Sequence, residues 1–147
     1  MENLNKQEYQ KYIKDKIPKP TYTKNMIFAF IVGGIICILG EFVNNSLRQL
    51  GFNEESVATG TSIALVFIGS LLTGLGIYDK IGTLGGAGAS IPITGFANSI
   101  VAPAMEYKRE GFIFGVAANM FIIAGPVLVY GVGGSILVGI LRILLKR

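Results

Sequence analysis

Gly82-Thr-Leu-Gly-Gly-Ala-Gly-Ala-Ser-Ile-Pro-Ile-Thr-Gly-Phe-Ala-Asn-Ser-Ile-Val-Ala-Pro103 is the stretch on which the fold turns. It holds no charge, so it can enter a bilayer, yet Gly85, Gly86, Gly88, Pro92, Gly95 and Pro103 forbid one smooth helix. Glycine gives up backbone entropy in a helix, and an interior proline removes a hydrogen bond and clashes with the preceding turn. Lipid cannot satisfy the backbone groups that such breaks release. Non-helical backbone at membrane depth therefore persists only when buried in protein or lining a wet cavity. The stretch is expected to be the broken, pore- or cavity-lining element of a small membrane protein, sheltered by flanking helices. The alternative is a glycine-rich loop at the membrane surface.

The surrounding chain supports a membrane setting. Of 147 residues, 51% are hydrophobic and 15% charged, mean hydropathy is +0.56, and glycine is abundant at 20 residues. Close packing of transmembrane helices accounts for such glycine usage. The expectation is an all-α, polytopic membrane helix bundle with about four crossings and a Gly/Pro-broken membrane segment. Residues 1–24 form a basic cytoplasmic leader, with six lysines against Glu2, Glu8 and Asp15. Tyr9, Tyr12, Ile13 and Ile17 recur at helical spacing, which suits either an interfacial amphipathic helix or a solubilising tail. Pro18 and Pro20 then stiffen the approach to the membrane.

The integral domain, 25–147, divides into segments 25–45, 56–78, 82–105 and 111–141. In the first, Gly33, Gly34 and Gly40 allow another helix to approach, and Cys37 reads as a small packed side chain. A polar, partly acidic loop follows. In the second, Thr59, Ser62, Val66, Gly69, Thr73 and Gly76 form one face of mostly small or hydroxyl residues, suited to helix contact or, in the alternative, to facing water. In the last, Gly111, Gly115, Ala118 and Gly125 share a face. A straight helix over 112–141 would measure roughly 45 Å against about 30 Å of hydrocarbon. It must tilt, kink at Gly125-Pro126, or end near Tyr130. If 82–105 crosses the bilayer, both basic termini are cytoplasmic, and this is the preferred topology. If it enters and leaves on one side, Arg142, Lys146 and Arg147 fall on the disfavoured side.

An enzyme is not expected. Without histidine there is no Ser–His–Asp set and no histidine ligand; one cysteine makes no metal cluster. The glycine run lacks the strand–helix context of a dinucleotide site, so no cofactor or metal is expected. No basic cluster interleaved with aromatics on a soluble domain points to nucleic acid. The candidates for lining a pore or binding a solute are Glu41, Gly85, Gly86, Gly88, Pro92, Thr94, Gly95 and Asn98. Glu41 interrupts an apolar run, and ionisable groups in membranes are costly. Asn98 is a polar amide in the broken stretch, able to donate to a permeating anion or to cap freed backbone. Asp79, Lys80, Glu106, Lys108 and Glu110 are candidates for a polar gate or interface, or are solvated anchors. Half-helix N-termini carry unpaired amides and partial positive charge, which suits an anion.

Val32-Gly-Gly-Ile-Ile-Cys37, Leu72-Thr-Gly-Leu-Gly-Ile-Tyr-Asp-Lys-Ile81, Gly86-Ala-Gly-Ala-Ser-Ile-Pro-Ile-Thr-Gly-Phe-Ala-Asn-Ser99 and Glu110-Gly-Phe-Ile-Phe-Gly115 closely resemble the SpoVAC/SpoVAE family of the spore SpoVA membrane complex. The lysine-rich start running into Ile17-Pro-Lys-Pro20 is similar to the AC branch; the shorter AE branch lacks this leader. The resemblance implies a multi-pass protein of the inner membrane of the forespore and spore in an endospore-forming bacterium. It implies a complex that moves dipicolinic acid, with calcium, during sporulation and germination. The implied partners are the other membrane subunits of that complex and a soluble thiolase-like subunit, within an oligomer. It also implies an alternative, a tension-gated channel acting alone; the basic leader and cytoplasmic loops suit a further one, a non-conducting scaffold that recruits partners.

Overall fold

The computed structural model describes residues 21–145, together with residues 9, 10, 12, 13 and 16, which are helical. Tyr9 and Tyr12 are exposed, and Lys16 lies 5.7 Å from the Tyr12 ring centroid. Ile17 and most of the leader lie outside the described residues, so the choice between surface helix and tail does not meet the structure.

Helix α1, Tyr22–Gln49, is uncharged from Asn25 through Gly40. It ends where Gly51 takes a φ of +85°, and Asn53 then starts α2, Glu54–Gly74. The Asn53 side chain accepts from the Ser56 amide at 2.8 Å, and Glu54 and Glu55 complement the positive end of the helix. Asn53→Ala is expected to destabilise the fold by about 1 kcal/mol, read as a lower thermal midpoint in detergent, while Asn53→Asp holds it. The helices run antiparallel: a Cβ on Gly40 would lie 3.5 Å from Leu65 Cδ1, and one on Gly60 would lie 2.9 Å from Leu47 Cδ1.

Gly76, at φ +67°, turns the chain into the broken stretch. Three short helices replace one: α3, Tyr78–Gly85; α4, Ala87–Ser90; and α5, Ile93–Glu106. The breaks fall at Gly86, with φ +50° and ψ −123°, and at extended Pro92, which opens α5. Pro103 sits inside α5. A tight turn of 3-10 helix, Tyr107–Glu110, leads through Gly111 into π-helical Phe112–Ala117, and α6, Phe121–Leu145, is the last helix among the described residues.

The broken stretch is sheltered as expected. Val32, Ile36 and Ala89 form a buried cluster with Ile81 against it. A Cβ on Gly85 would press on Val32, and one on Gly88 on the Ala29 carbonyl. On the other side α5 lies along α2. Gly69 meets Thr94 and Ala97, Thr73 meets Asn98, and Ala102, Met105 and Glu106 share a hollow with Thr73–Gly76 and Asp79. These pairings advance together along both helices, so α5 runs parallel to α2. The stretch thus begins and finishes at the C-terminal end of α2.

Among the described residues, three helices are long and apolar enough to cross a membrane: α1, α2 and α6. The all-α bundle with a broken segment stands. Of the two topologies weighed for residues 82–105, their course is that of the segment returning to its own side.

Four local expectations change. Cys37 is exposed, because the buried stripe of α1 passes through Val32 and Ile36. The α2 stripe is buried only at Gly69 and Thr73, where α5 meets it; Thr59 and Val66 are exposed. Chain 112–145 breaks near Met120 rather than at Gly125-Pro126, and α6 continues past Tyr130 to Leu145. Gly115 packs against the Tyr107 carbonyl, but a Cβ on Gly125 would meet only Phe121 of its own helix.

Candidate functional site

Two buried polar contacts set the broken stretch. The first closes the hairpin upon itself. Pro92 ends α4, so the Ala89 carbonyl never meets the amide four residues on. The Tyr78 hydroxyl lies 2.7 Å from that carbonyl and 2.8 Å from Thr94 Oγ1. Tyr78 and Thr94 are buried and Ala89 is fully so. One tyrosine thereby ties together the starts of α3 and α5 and the body of α4.

The second contact joins α5 to α2. Gly69 lets the helices touch: a Cβ there would lie 2.7 Å from the Thr94 carbonyl oxygen and 3.2 Å from Ala97 Cβ. One turn further on, Thr73 Oγ1 lies 2.9 Å from Asn98 Oδ1 and 2.7 Å from the Gly69 carbonyl. Asn98 is half-buried and lines a cleft between α5 and α6 of about 550 Å³. Ser90, Ser99 and Glu106 supply the other polar lining; Phe96, Ile123 and Val127 are among its apolar walls. A concave, mostly apolar site with a few convergent polar groups is the usual form of a small-molecule site.

The anticipated residues separate by role. Gly85, Gly88 and Gly95 are contact surfaces: a Cβ on Gly95 would strike the Ala89 and Ser90 carbonyls, and the other two face α1. Gly86 supplies the left-handed break. Pro92 and Thr94 start α5, and the Pro92 carbonyl accepts from the Gly95 and Phe96 amides at 2.9 and 3.1 Å. Asn98 reaches the cleft, with Glu106 on its rim and on the neighbouring hollow beside Asp79. Lys80 is exposed on α3, and Lys108 and Glu110 are exposed on the 3-10 turn. Glu41 is not brought to these groups. It is exposed on α1 and accepts from Asn45 Nδ2 at 3.0 Å.

Sequence reasoning missed Tyr78, taken as the end of a span, and the specific partnership of Thr73. It also missed Asn119, whose Nδ2 donates to the Gly115 carbonyl at 2.7 Å where π-helix passes into α6. Tyr78 was signalled as a polar residue at the end of an expected span, where carbonyls lose their helical donors; Thr73 lay inside that span and Asn119 away from the expected kink at Gly125-Pro126, so neither carried that signal.

Three membrane-length helices around a sheltered, broken hairpin with a polar-lined cleft define a polytopic α-helical membrane protein. A family model described as SpoVAC/SpoVAEB sporulation membrane protein matches residues 25–141. Stage V sporulation protein AC of Bacillus subtilis (strain 168) is 45% identical over 143 residues, covering 97% of this chain and 95% of that protein. The chain belongs to the SpoVAC/SpoVAEB family of sporulation membrane proteins. It is therefore a membrane protein of sporulating bacteria with a role in sporulation. No solved structure matches it.

Proposed function

We propose that the chain is a conduit-forming subunit that moves dipicolinate, with calcium, across the inner membrane of the forespore and spore. The observation that carries this reading is the cleft beside α5, where Asn98, Ser90 and Ser99 line the flank of a helix begun at the Pro92 break. In this reading the segment 78–106 is re-entrant. The leader, Lys80, Lys108 and Arg109 lie on the cytoplasmic side, and Arg48, Glu54 and Glu55 on the other. Arg142, Lys146 and Arg147 oppose the positive-inside tendency, but the lysine-rich leader and the two loops outweigh them.

Dipicolinate is a planar dianion. The Asn98 amide, with the Ser90 and Ser99 hydroxyls once they turn from the Gly86 and Phe96 carbonyls, suits carboxylates without burying a lysine. Glu106 at the rim is a hard oxygen donor of the kind calcium takes, fitting passage of the cation with its chelator. Other membrane subunits and a soluble thiolase-like subunit complete the assembly. The far half of α6, apolar and exposed from Leu128 to Leu145, offers them a surface within the membrane.

The test is flux from proteoliposomes combined with single-cysteine access on a Cys37→Ser background. Asn98→Leu is expected to lower dipicolinate flux about tenfold, the worth of one hydrogen bond to a charged solute. Cysteines at Ser90, Asn98 and Ser99 should react from water, while those at Ala89 and Thr94 should not. Uniform protection of all five positions, with unchanged flux in Asn98→Leu, would contradict the reading.

A second reading, a tension-gated channel acting alone, is favoured by the seams at Gly33–Gly88 and Gly69–Thr94. There backbones touch without interlocking side chains, so the helices can slide. Conduction under stretch by the purified chain alone supports it; silence up to lytic tension rejects it.

A further inference from the structure

We propose that Thr73 is the positioning residue that turns the Asn98 amide so that its NH₂ end faces the α5–α6 cleft, making the cleft selective for carboxylates. This deepens the conduit reading and rests on it. Thr73 lies on α2, 25 residues from Asn98 in sequence, and its hydroxyl donates to Asn98 Oδ1 at 2.9 Å. That contact fixes the carbonyl end of the amide toward α2. Nδ2 has no hydrogen-bond partner among the described residues, while no buried side-chain nitrogen or oxygen among them is left unpaired. Nδ2 is therefore not sealed inside the protein, and the hollow that Asn98 lines is the cleft.

The Thr73 hydroxyl has one proton and two acceptors in reach, since the Gly69 carbonyl lies 2.7 Å away. That carbonyl already receives the Thr73 amide through the helical ladder and does not need the hydroxyl. Were the proton given to Gly69 instead, the amide would have to turn and donate to Thr73. Its carbonyl would then face the cleft and favour a cation. The destination of this proton decides whether the cleft presents a donor or an acceptor. Ser90 and Ser99 give their protons to the Gly86 and Phe96 carbonyls at 3.0 and 2.7 Å, and Glu106 on the rim favours a cation, so the Asn98 amide is the donor this lining offers a carboxylate.

The experiment uses the full chain in proteoliposomes under a potassium dipicolinate gradient, with reversal potential as the readout. Thr73→Val keeps the side-chain volume and removes the proton. It is expected to lower the dipicolinate-to-potassium permeability ratio about tenfold, whereas Thr73→Ser retains it. A second readout needs no flux. In lipid nanodiscs, dipicolinate should shift the Asn98 side-chain ¹⁵N resonance in the wild type and in Thr73→Ser, but not in Thr73→Val. A Thr73→Val protein with the wild-type ratio and the wild-type resonance response overturns the proposal and leaves the conduit standing. A wild type that shows the resonance response but passes no ions sinks the conduit and leaves the amide orientation intact. Absence of any response in the wild type overturns the orientation claim itself.

Discussion

Gly88→Val is expected to destabilise the protein by about 3 kcal/mol or more, in the range seen for severe overpacking. The cause is the contact that would result. A Cβ at Gly88 falls on the carbonyl of Ala29, with the Ala29 Cα and carbonyl carbon immediately behind it. All three are backbone atoms, so no rotamer change can make room, and α4 must leave α1. Separation uncovers Val32, Ile36 and Ala89, the cluster that joins the broken stretch to the first span. Thermal unfolding in detergent should show a midpoint lower by about 10 °C, taking roughly 2–4 °C per kcal/mol for a chain of this size. Gly34→Val is the control, because nothing lies within 4 Å of a Cβ at Gly34. Equal stability of the two variants would show that α4 does not rest on α1.

Tyr78→Phe is expected to have the next largest effect, about 2 kcal/mol. The ring remains, so packing is preserved and only the hydroxyl is lost. The Ala89 carbonyl is fully buried and has been separated from its helical donor by Pro92. Without Tyr78 it keeps no partner, and a buried acceptor left bare costs about 1–3 kcal/mol. Thr94 Oγ1, in the first turn of α5, loses its Tyr78 partner as well. A double-mutant cycle with Thr94→Val should give a coupling of about 1 kcal/mol. A Tyr78→Phe protein as stable as the wild type would mean that the hairpin limbs are not tied at this point.

Much of this arrangement was legible in the sequence because its causes are local. Gly86 and Pro92 dictate breaks wherever they stand, and the absence of charge from Gly82 to Pro103 dictates depth. Gly69 and Thr73 belonged to a small-residue face read as a helix contact, and that end of the face is the part that packs. What was not legible depends on direction. Whether a chain broken at two points continues or doubles back is decided by angles at Gly86 and Pro92, and residue type constrains these without fixing them. Gly85, Gly86, Gly88 and Gly95 were read as candidates for lining a pore, but residue type does not say whether a glycine exposes backbone to a solute or admits a neighbour. Only the positions of Ala29, Val32 and the Ala89 carbonyl show that Gly85, Gly88 and Gly95 do the latter. Glu41 stood out in an apolar run for its charge alone, and helical phase places it away from α5. Asn98 was legible as an isolated amide, but its partner on α2 was not, since 25 residues separate them.

The claim beneath all of this is that residues 78–106 form a hairpin, uncharged from Ile81 to Met105, held inside the membrane and open to one side. Single cysteines at Lys80 and Lys108, on a Cys37→Ser background in sealed vesicles of known orientation, test it most directly with a membrane-impermeant maleimide. Labelling of both positions from the cytoplasmic face, with Ala89 and Thr94 protected, is the predicted result. Labelling of Lys80 and Lys108 from opposite faces, or free labelling of Ala89 and Thr94 from water, would contradict it.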